Sequence, residues 1–254
     1  MFSSIQRYRF FNVERIWFSN KGDSCCDIIR FTRAEQPLKG RNVYCEPVET
    51  VLSDLRETTD EILAKSTKTV KYEVNKCRKE GVEVIFYNSK QLQDNPYILD
   101  EFENAYIYFA NELHNKELLK AYNRKKVENF ISCGCLLISK AFVDKVSIYH
   151  VYAYGGEECC LLYSVSNFRE DPSKRNLAGR ANKLLHINDM EFFKSEGVKI
   201  YDWGNISSSS NPNGIDVFKM SFGGQVSTLY NISVGNTTVG KIVLKIQSLL
   251  NKIL

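Results

Sequence analysis

No apolar run in this chain of 254 residues approaches the roughly 18–20 residues that cross a bilayer. Arg7, Arg9 and Arg15 also crowd the start, where a signal peptide would need an apolar core of about 7–15 residues. A membrane span and secretion are therefore not expected, and the chain reads as cytoplasmic. It has no repeat, no low-complexity tract and no long Pro/Gly linker, which argues against arrays and loosely tethered domains. The eight cysteines include the doublets Cys25–Cys26 and Cys159–Cys160 and the triplet Cys133-Gly134-Cys135, without the gaps of two to four residues typical of zinc ligands; reduced thiols and no metal are expected. The net charge of +4 lacks the basic excess of a dedicated nucleic-acid binder, so nucleic acid is not the favoured partner.

What is present is an ordinary globular balance, 43% hydrophobic and 25% charged. Apolar stretches at 15–19 and 26–32 and the alternation at 82–87 predict strands, while 53–65 and 68–80 carry helical spacing, the second closed by Gly81. Asn95-Pro96 opens a helix with Leu99, Phe102, Tyr106, Phe109 and Leu113 on one face. Segments 130–139, 145–154 and 159–166 predict an antiparallel meander, its last turn made at Gly155-Gly156. A helix over 176–196, a strand at 198–203, a short helix at 214–220 and a strand at 225–230 complete an α/β (α+β layered) order. Three regions are expected: 1–94, 95–235 and 236–254. In the last, Val239, Ile242, Val243, Ile246, Leu249, Leu250 and Ile253 form an apolar stripe with Lys241, Lys245 and Lys252 off it, which predicts core or dimer packing, hence a possible homodimer, over a membrane-surface role, since only three cations accompany it.

The stretch LLYSVSNFREDPSKRNLAGRANKLLH (161–186) carries the chemistry. It reads strand, loop, then Asn176-Leu177-Ala178-Gly179-Arg180-Ala181 at the start of a long helix. Helix starts offer unsatisfied N–H groups and partial positive charge, and small residues let a diphosphate approach.

This arrangement resembles the coenzyme A pyrophosphate motif of the GNAT superfamily, with Asn176 where Gln or Arg is usual. KYEVNKCRKEGVEVIF (71–86), FFKSEGVKIYDWGN (192–205) and GIDVFKMSFGG (214–224), in that order, are similar to the Fem-type branch, which includes cell-wall peptidyltransferases. The resemblance implies a GNAT-like fold with a mixed, mostly antiparallel sheet flanked by helices and two GNAT-like halves, 1–94 being a partial one and 95–235 the acyltransferase half. It implies acyl-CoA as co-substrate, with Ser164 and Val165 beside the thioester and Asn176, Gly179, Arg180 and Ala181 on the diphosphate. Ordinary GNAT members carry a Tyr acid on the short helix, where this chain has Phe218 followed by Lys219. The similar Fem-type pattern has the same pair, and Lys219 is the expected cation at the developing charge.

Other candidates follow from spacing. Asn182, His186 and Asp189 recur at i, i+4 and i+7, so they share one helix stripe that either lines an acceptor cleft or faces water. His150 lies mid-strand among apolar and aromatic neighbours, as a core residue or a base. Asp202 ends a strand, as a turn cap or a cleft acid, and Asp216 opens a short helix, where it either complements the helix dipole or meets substrate beside Phe218. Between residues 65 and 79 cations face Glu73 alone, and Lys71 and Lys76 could hold an acceptor's diphosphate or belong to a solvated face.

No strongly perturbed base is required: deprotonating an amine of pKa about 8 near neutral pH costs about 1.4 kcal/mol, while orienting two substrates supplies roughly 7–11 kcal/mol. The first expectation is N-acyl transfer from acyl-CoA to a nucleotide-linked amino sugar in surface-polysaccharide synthesis. The alternative is aminoacyl transfer from charged tRNA to a peptidoglycan precursor, and a third reading is a binding module that kept the fold and lost the chemistry.

Overall fold

In the computed structural model, residues 1–168 and 171–250 are described, and four strands come first: β1 (Phe2–Arg7), β2 (Asn12–Trp17), β3 (Ile28–Ala34) and the long β4 (Val43–Asp54). Helices α1 (Thr59–Lys65) and α2 (Lys68–Cys77) lead to β5 (Glu83–Asn88). A helical run follows: α3 (Ser89–Asp94), α4 (Tyr97–Glu112), α5 (Lys116–Ala121) and α6 (Arg124–Ser132). The meander is β6 (Leu136–Val143), β7 (Val146–Gly155) and β8 (Glu158–Asn167). Then come α7 (Arg175–Ser195), β9 (Ile200–Asn205), α8 (Gly214–Met220), β10 (Gln225–Gly235) and α9 (Thr238–Leu250).

Chain contacts divide these elements into two units that cut across the linear boundaries at 94 and 235. Unit 1 holds Met1–Val51, Asn205–Asp216 and the stretch from Val226 onward; unit 2 holds Leu52–Gly204 and Val217–Gln225. In unit 2 the strand order is β9-β8-β7-β6-β5, with β8 parallel to β9 and every other neighbour antiparallel. Helix α7 buries Ala178, Ala181, Leu184, Leu185, Ile187, Met190 and Phe193, and the core is completed by Ile138, Ile148, Val151 and Tyr201. In unit 1 the order is β1-β2-β3-β10-β4, with β2 and β3 parallel. Among the described residues its helices are α9 and the first turn of α8, so the second half expected from the resemblance is not seen there.

Two segments differ from expectation. Ser53 and Asp54 end β4, and the helix begins only after Thr58, whose side chain forms a capping box with Glu61. Phe130 is a buried residue of α6, not the first of a strand: Gly134, at φ +73, turns the chain between α6 and β6. On α9 the expected apolar stripe is turned outward: Leu244 is the buried residue, while Val239, Ile242, Ile246 and Leu249 are exposed. Ile253, Lys252 and the side chain of Leu250 lie outside the described residues.

Candidate active site

Parallel pairing between β8 and β9 covers only Glu158↔Ile200, Cys159↔Tyr201 and Cys160↔Asp202. Past Cys160 the strand continues along β7 to Asn167, outside the β9 ladder. On the β7 side the register shifts there, Val151 facing Tyr163 and Tyr152 facing Leu161, so Leu162 is an inserted residue. Such a bulge bends a strand and interrupts its pairing. At the mouth of this parting stands Gly204, at φ +75. A Cβ built on it would lie 2.7 Å from the Leu161 carbonyl oxygen and 3.7 Å from Lys219 Nζ. The missing side chain therefore brings a β8 carbonyl and the half-buried Lys219 amino group to one point. Ser164 and Val165 lie further along β8, opposite His150 and Tyr149 of β7.

Behind the parting, between β7, β9 and α7, runs a buried polar chain. His150 Nδ1 is 2.7 Å from Asp189 Oδ2, and its Nε2 is 2.6 Å from Asn182 Oδ1. The Tyr152 hydroxyl donates to the same Asp189 oxygen at 2.5 Å and meets the Tyr201 hydroxyl at 2.6 Å, which in turn meets His186 Nδ1 at 2.7 Å. Proton counting fixes the directions. With the Tyr152 hydrogen spent on Asp189, Tyr201 donates to Tyr152 and accepts from His186 Nδ1–H. His150 Nδ1 faces the Asp189 carboxylate and its Nε2 faces the Asn182 side-chain amide, whose oxygen and nitrogen can exchange places.

Burial first, then the charges of His150, Lys219 and Lys183, hold His186 well below the ordinary imidazole range, so it is neutral. Burial and the nearby Asp189 push the Tyr152 and Tyr201 phenols well up, so both keep their protons. Asp189 Oδ1 has no hydrogen-bond partner among the described residues.

His150, His186 and Asp189 each bring a ligand atom within 4.8 Å of the others. The two imidazoles, however, stack with centroids 4.0 Å apart and planes 26° apart. Their in-plane lone pairs run side by side and do not converge on one ion, and the facing atoms already share protons. Both histidines are buried, His150 at 0% and His186 at 1% exposure. The polar chain joins α7 to β7 and β9, and Lys219 Nζ lies at the parting.

The start of α7 differs from an open anion site. Its first helical residue is Arg175, preceded by a 3₁₀ turn at Pro172–Lys174 that Asp171 caps through the Ser173 N–H at 3.0 Å. Gly179, Arg180 and Ala181 consequently lie one turn inside the helix, where N–H groups point back at α7's own carbonyls. Asn176 is exposed, Ala181 is core, and a Cβ on Gly179 would meet nothing within 4 Å. Arg180 is held by Glu80 in a two-pronged ion pair at 2.9 and 2.6 Å, and Lys183 by Glu73 at 2.8 Å. These pairs turn both acids of the 65–80 segment towards α7. Lys68, Lys71, Asn75 and Lys76 face outward beside Tyr72, which is 66% exposed.

Asp202 Oδ1 accepts the Gly204 N–H at 2.8 Å, and so shapes the turn that carries the glycine. Asp216 accepts from the N–H groups of Ser207 and Asn213 and from the Ser207 hydroxyl; burial works to raise its pKa, but these bonds outweigh it and hold it below the usual carboxylate range. That residue organises its loop within unit 1. Phe218 sits against the Lys183 amino group, 5.4 Å from the ring centroid, and against His186. A separate pocket of 310 Å³ in unit 2 is lined by Asp54, Arg56, Glu57, Lys65, Ile200 and Phe222, at the opposite end of β9 from Gly204. Tyr152, Tyr201, Gly204 and Glu80 are the site residues that spacing did not single out. The period-two pairing of Tyr152 with His150 and of Tyr201 with Trp203 was the available signal.

No protein-family model matches the chain, and no curated protein matches it in sequence. Solved structures do match in fold. One is FemX, with a TM-score of 0.63 at 10% identity, covering 94% of this chain and 85% of that one. Another is the C-terminal domain (DUF2156) of a lysylphosphatidylglycerol synthetase from Agrobacterium fabrum, with a TM-score of 0.54 at 13% identity over 88% of this chain and 72% of that one. A third is L-PGS from Bacillus licheniformis, with a TM-score of 0.50 at 11% identity over 87% and 72%. The fold is therefore the mixed α/β, GNAT-like one found in FemX, in agreement with the Fem-type resemblance of the sequence.

Proposed function

We propose that the chain transfers an aminoacyl group from charged tRNA to an amine, the acceptor being a peptidoglycan precursor as the Fem-type resemblance implies. The observation that carries the reading is the placement of Lys219 Nζ beside Gly204 and the Leu161 carbonyl, where the β8–β9 ladder ends. The acceptor nitrogen attacks the ester carbonyl carbon, the carbonyl oxygen takes up negative charge, and the ester C–O bond then breaks to leave an amide. The proton lost by the nitrogen ends on the departing ribose oxygen. An ammonium at the parting stabilises the charge on whichever oxygen carries it.

The donor is argued from charge. A diphosphate at the start of α7 would meet the Asp171 carboxylate, and Gly179–Ala181 offer it no open N–H groups. Acyl-CoA, and with it the nucleotide-linked amino sugar pathway, is accordingly the less supported alternative. The outer face of α2 suits a polyanion: Lys68, Lys71 and Lys76 with Tyr72 between them, and both acids turned away. The test combines transfer of a radiolabelled amino acid from tRNA to precursor with thermal shifts. Transfer that requires the chain, together with a salt-sensitive shift by charged tRNA, is expected. A shift by an acyl-CoA and none by charged tRNA would reverse the choice of donor.

A further inference from the structure

We propose that unit 1 docks on an anionic lipid surface through α9 and the tip of the β1–β2 hairpin. Helix α9 is apolar on two opposite sides. One side is fixed to unit 1: Leu244 packs with Val13 and Ile28, Arg30 bonds Gln247 at 3.2 Å, and Gly240 has no side chain because a Cβ would fall 1.9 Å from the Asp27 carbonyl oxygen. The other side shows Val239, Ile242, Ile246 and Leu249 to solvent, with relative exposures of 43–55%. Lys241 and Lys245 flank that stripe and are exposed too.

The hairpin tip extends the same chemistry. Tyr8 stacks on Phe11 at 4.6 Å, and Phe11 packs on the Val13–Ile28–Leu244 cluster that anchors α9. Beside it Phe10 is 76% exposed, with the Arg9 guanidinium 5.2 Å from its ring centroid. An aliphatic stripe, an exposed aromatic and flanking cations are what an interfacial helix presents to headgroups and the first acyl carbons.

Charge selects the occupant. No Asp or Glu occurs in residues 1–13 or from 217 to the end of the chain, so Arg7, Arg9, Lys241 and Lys245 stand in segments without an acid of their own. Asp27, beside the start of α9, is bound to the Asn12 N–H and to the Thr237 hydroxyl. A second copy laid α9 on α9 would oppose lysines to lysines. An anionic bilayer surface matches both the charge and the apolar stripe, and among the described residues no helix is long and apolar enough to cross it.

The test is flotation of the purified full chain with phosphatidylcholine vesicles, with and without phosphatidylglycerol. Binding is expected only to the vesicles carrying phosphatidylglycerol and should fall at high salt. The pair Lys241→Glu/Lys245→Glu, which alters exposed groups only, should weaken partitioning at least about tenfold, since each basic residue near such a surface contributes about fivefold. Ile242→Ser/Ile246→Ser should abolish it, and Phe10→Ser, on a different element, should weaken it with the helix intact; each variant's melting curve checks folding. No flotation of the native chain, or flotation indifferent to these changes, would overturn the proposal. So would a dimer in light scattering that Ile242→Ser/Ile246→Ser turns into a monomer, because the stripe would then belong to a second copy.

Discussion

The Nδ1 atom of His186 lies 2.7 Å from the hydroxyl of Tyr201, and that hydrogen bond joins α7 to β9 inside the unit that holds Lys219. Because it begins a relay in which each hydroxyl gives one proton and takes another, removing a member takes a hydrogen-bond partner from each buried neighbour, and loss of the Tyr201 oxygen leaves His186 Nδ1 without its partner. Tyr201→Phe keeps the ring and deletes the oxygen. The expected loss is about 1–3 kcal/mol in urea unfolding, the cost of buried groups left unpaired. A loss below a few tenths would show that the relay does not stabilise unit 2.

The same histidine sets an acid limit. Its folded pKa is depressed by burial, so the unfolded chain takes up this proton first as pH falls. Stability from His186 is complete above the unfolded pKa of about 6.5 and declines below it, at a slope of up to about 1.4 kcal/mol per pH unit. Comparing unfolding free energies between pH 7 and pH 5 for the native chain and His186→Gln should show a shallower slope in the variant.

Lys219→Ala should lower kcat by about 10²–10³-fold with little change in melting temperature, and Lys219→Arg should recover part of the rate, if the cation acts on a developing oxyanion. Equal turnover in the alanine variant would remove Lys219 from the chemistry.

Gly204→Ala tests the parting itself. The backbone there is left-handed and the new methyl would sit 2.7 Å from the Leu161 oxygen, so at least about 1–2 kcal/mol of stability should be lost. Transfer activity should fall further than stability does, because the added carbon occupies the point between Leu161 and Lys219.

For the donor, Lys71→Ser/Lys76→Ser should reduce the slope of log binding constant against log salt for charged tRNA by roughly 1.5–2. An unchanged slope would place the nucleic acid elsewhere.

Local signals carried much of this. The hairpin at Gly156, the closure at Gly197 and the helix at 214–220 were legible because each depends on residues close in sequence. His150 was visible as a polar residue among apolar neighbours and Asp189, 39 residues on, as a member of a polar helix stripe, but their meeting depends on how α7 lies across β7. Strand β4 was hidden by its polar first half and by Pro47, and the outward turn of α9 by a stripe whose spacing is the same whether it faces core or solvent. The pairing of Arg180 with Glu80 spans 100 residues, and no period could announce it.

That pairing and its neighbour, Lys183 with Glu73, have a consequence for how the molecule looks from outside. With Glu73, the one acid of α2, paired to Lys183, and Glu80 just beyond it paired to Arg180, α2 shows the solvent a row of one sign, although the chain as a whole is nearly neutral for its size. A polyanion approaching within a Debye length of about 8 Å responds to that row and not to the sum over 254 residues. Net charge is thus the wrong gauge for this protein. Under the proposed function, a polyanionic donor meets the charge sorted onto one side of this ten-residue helix.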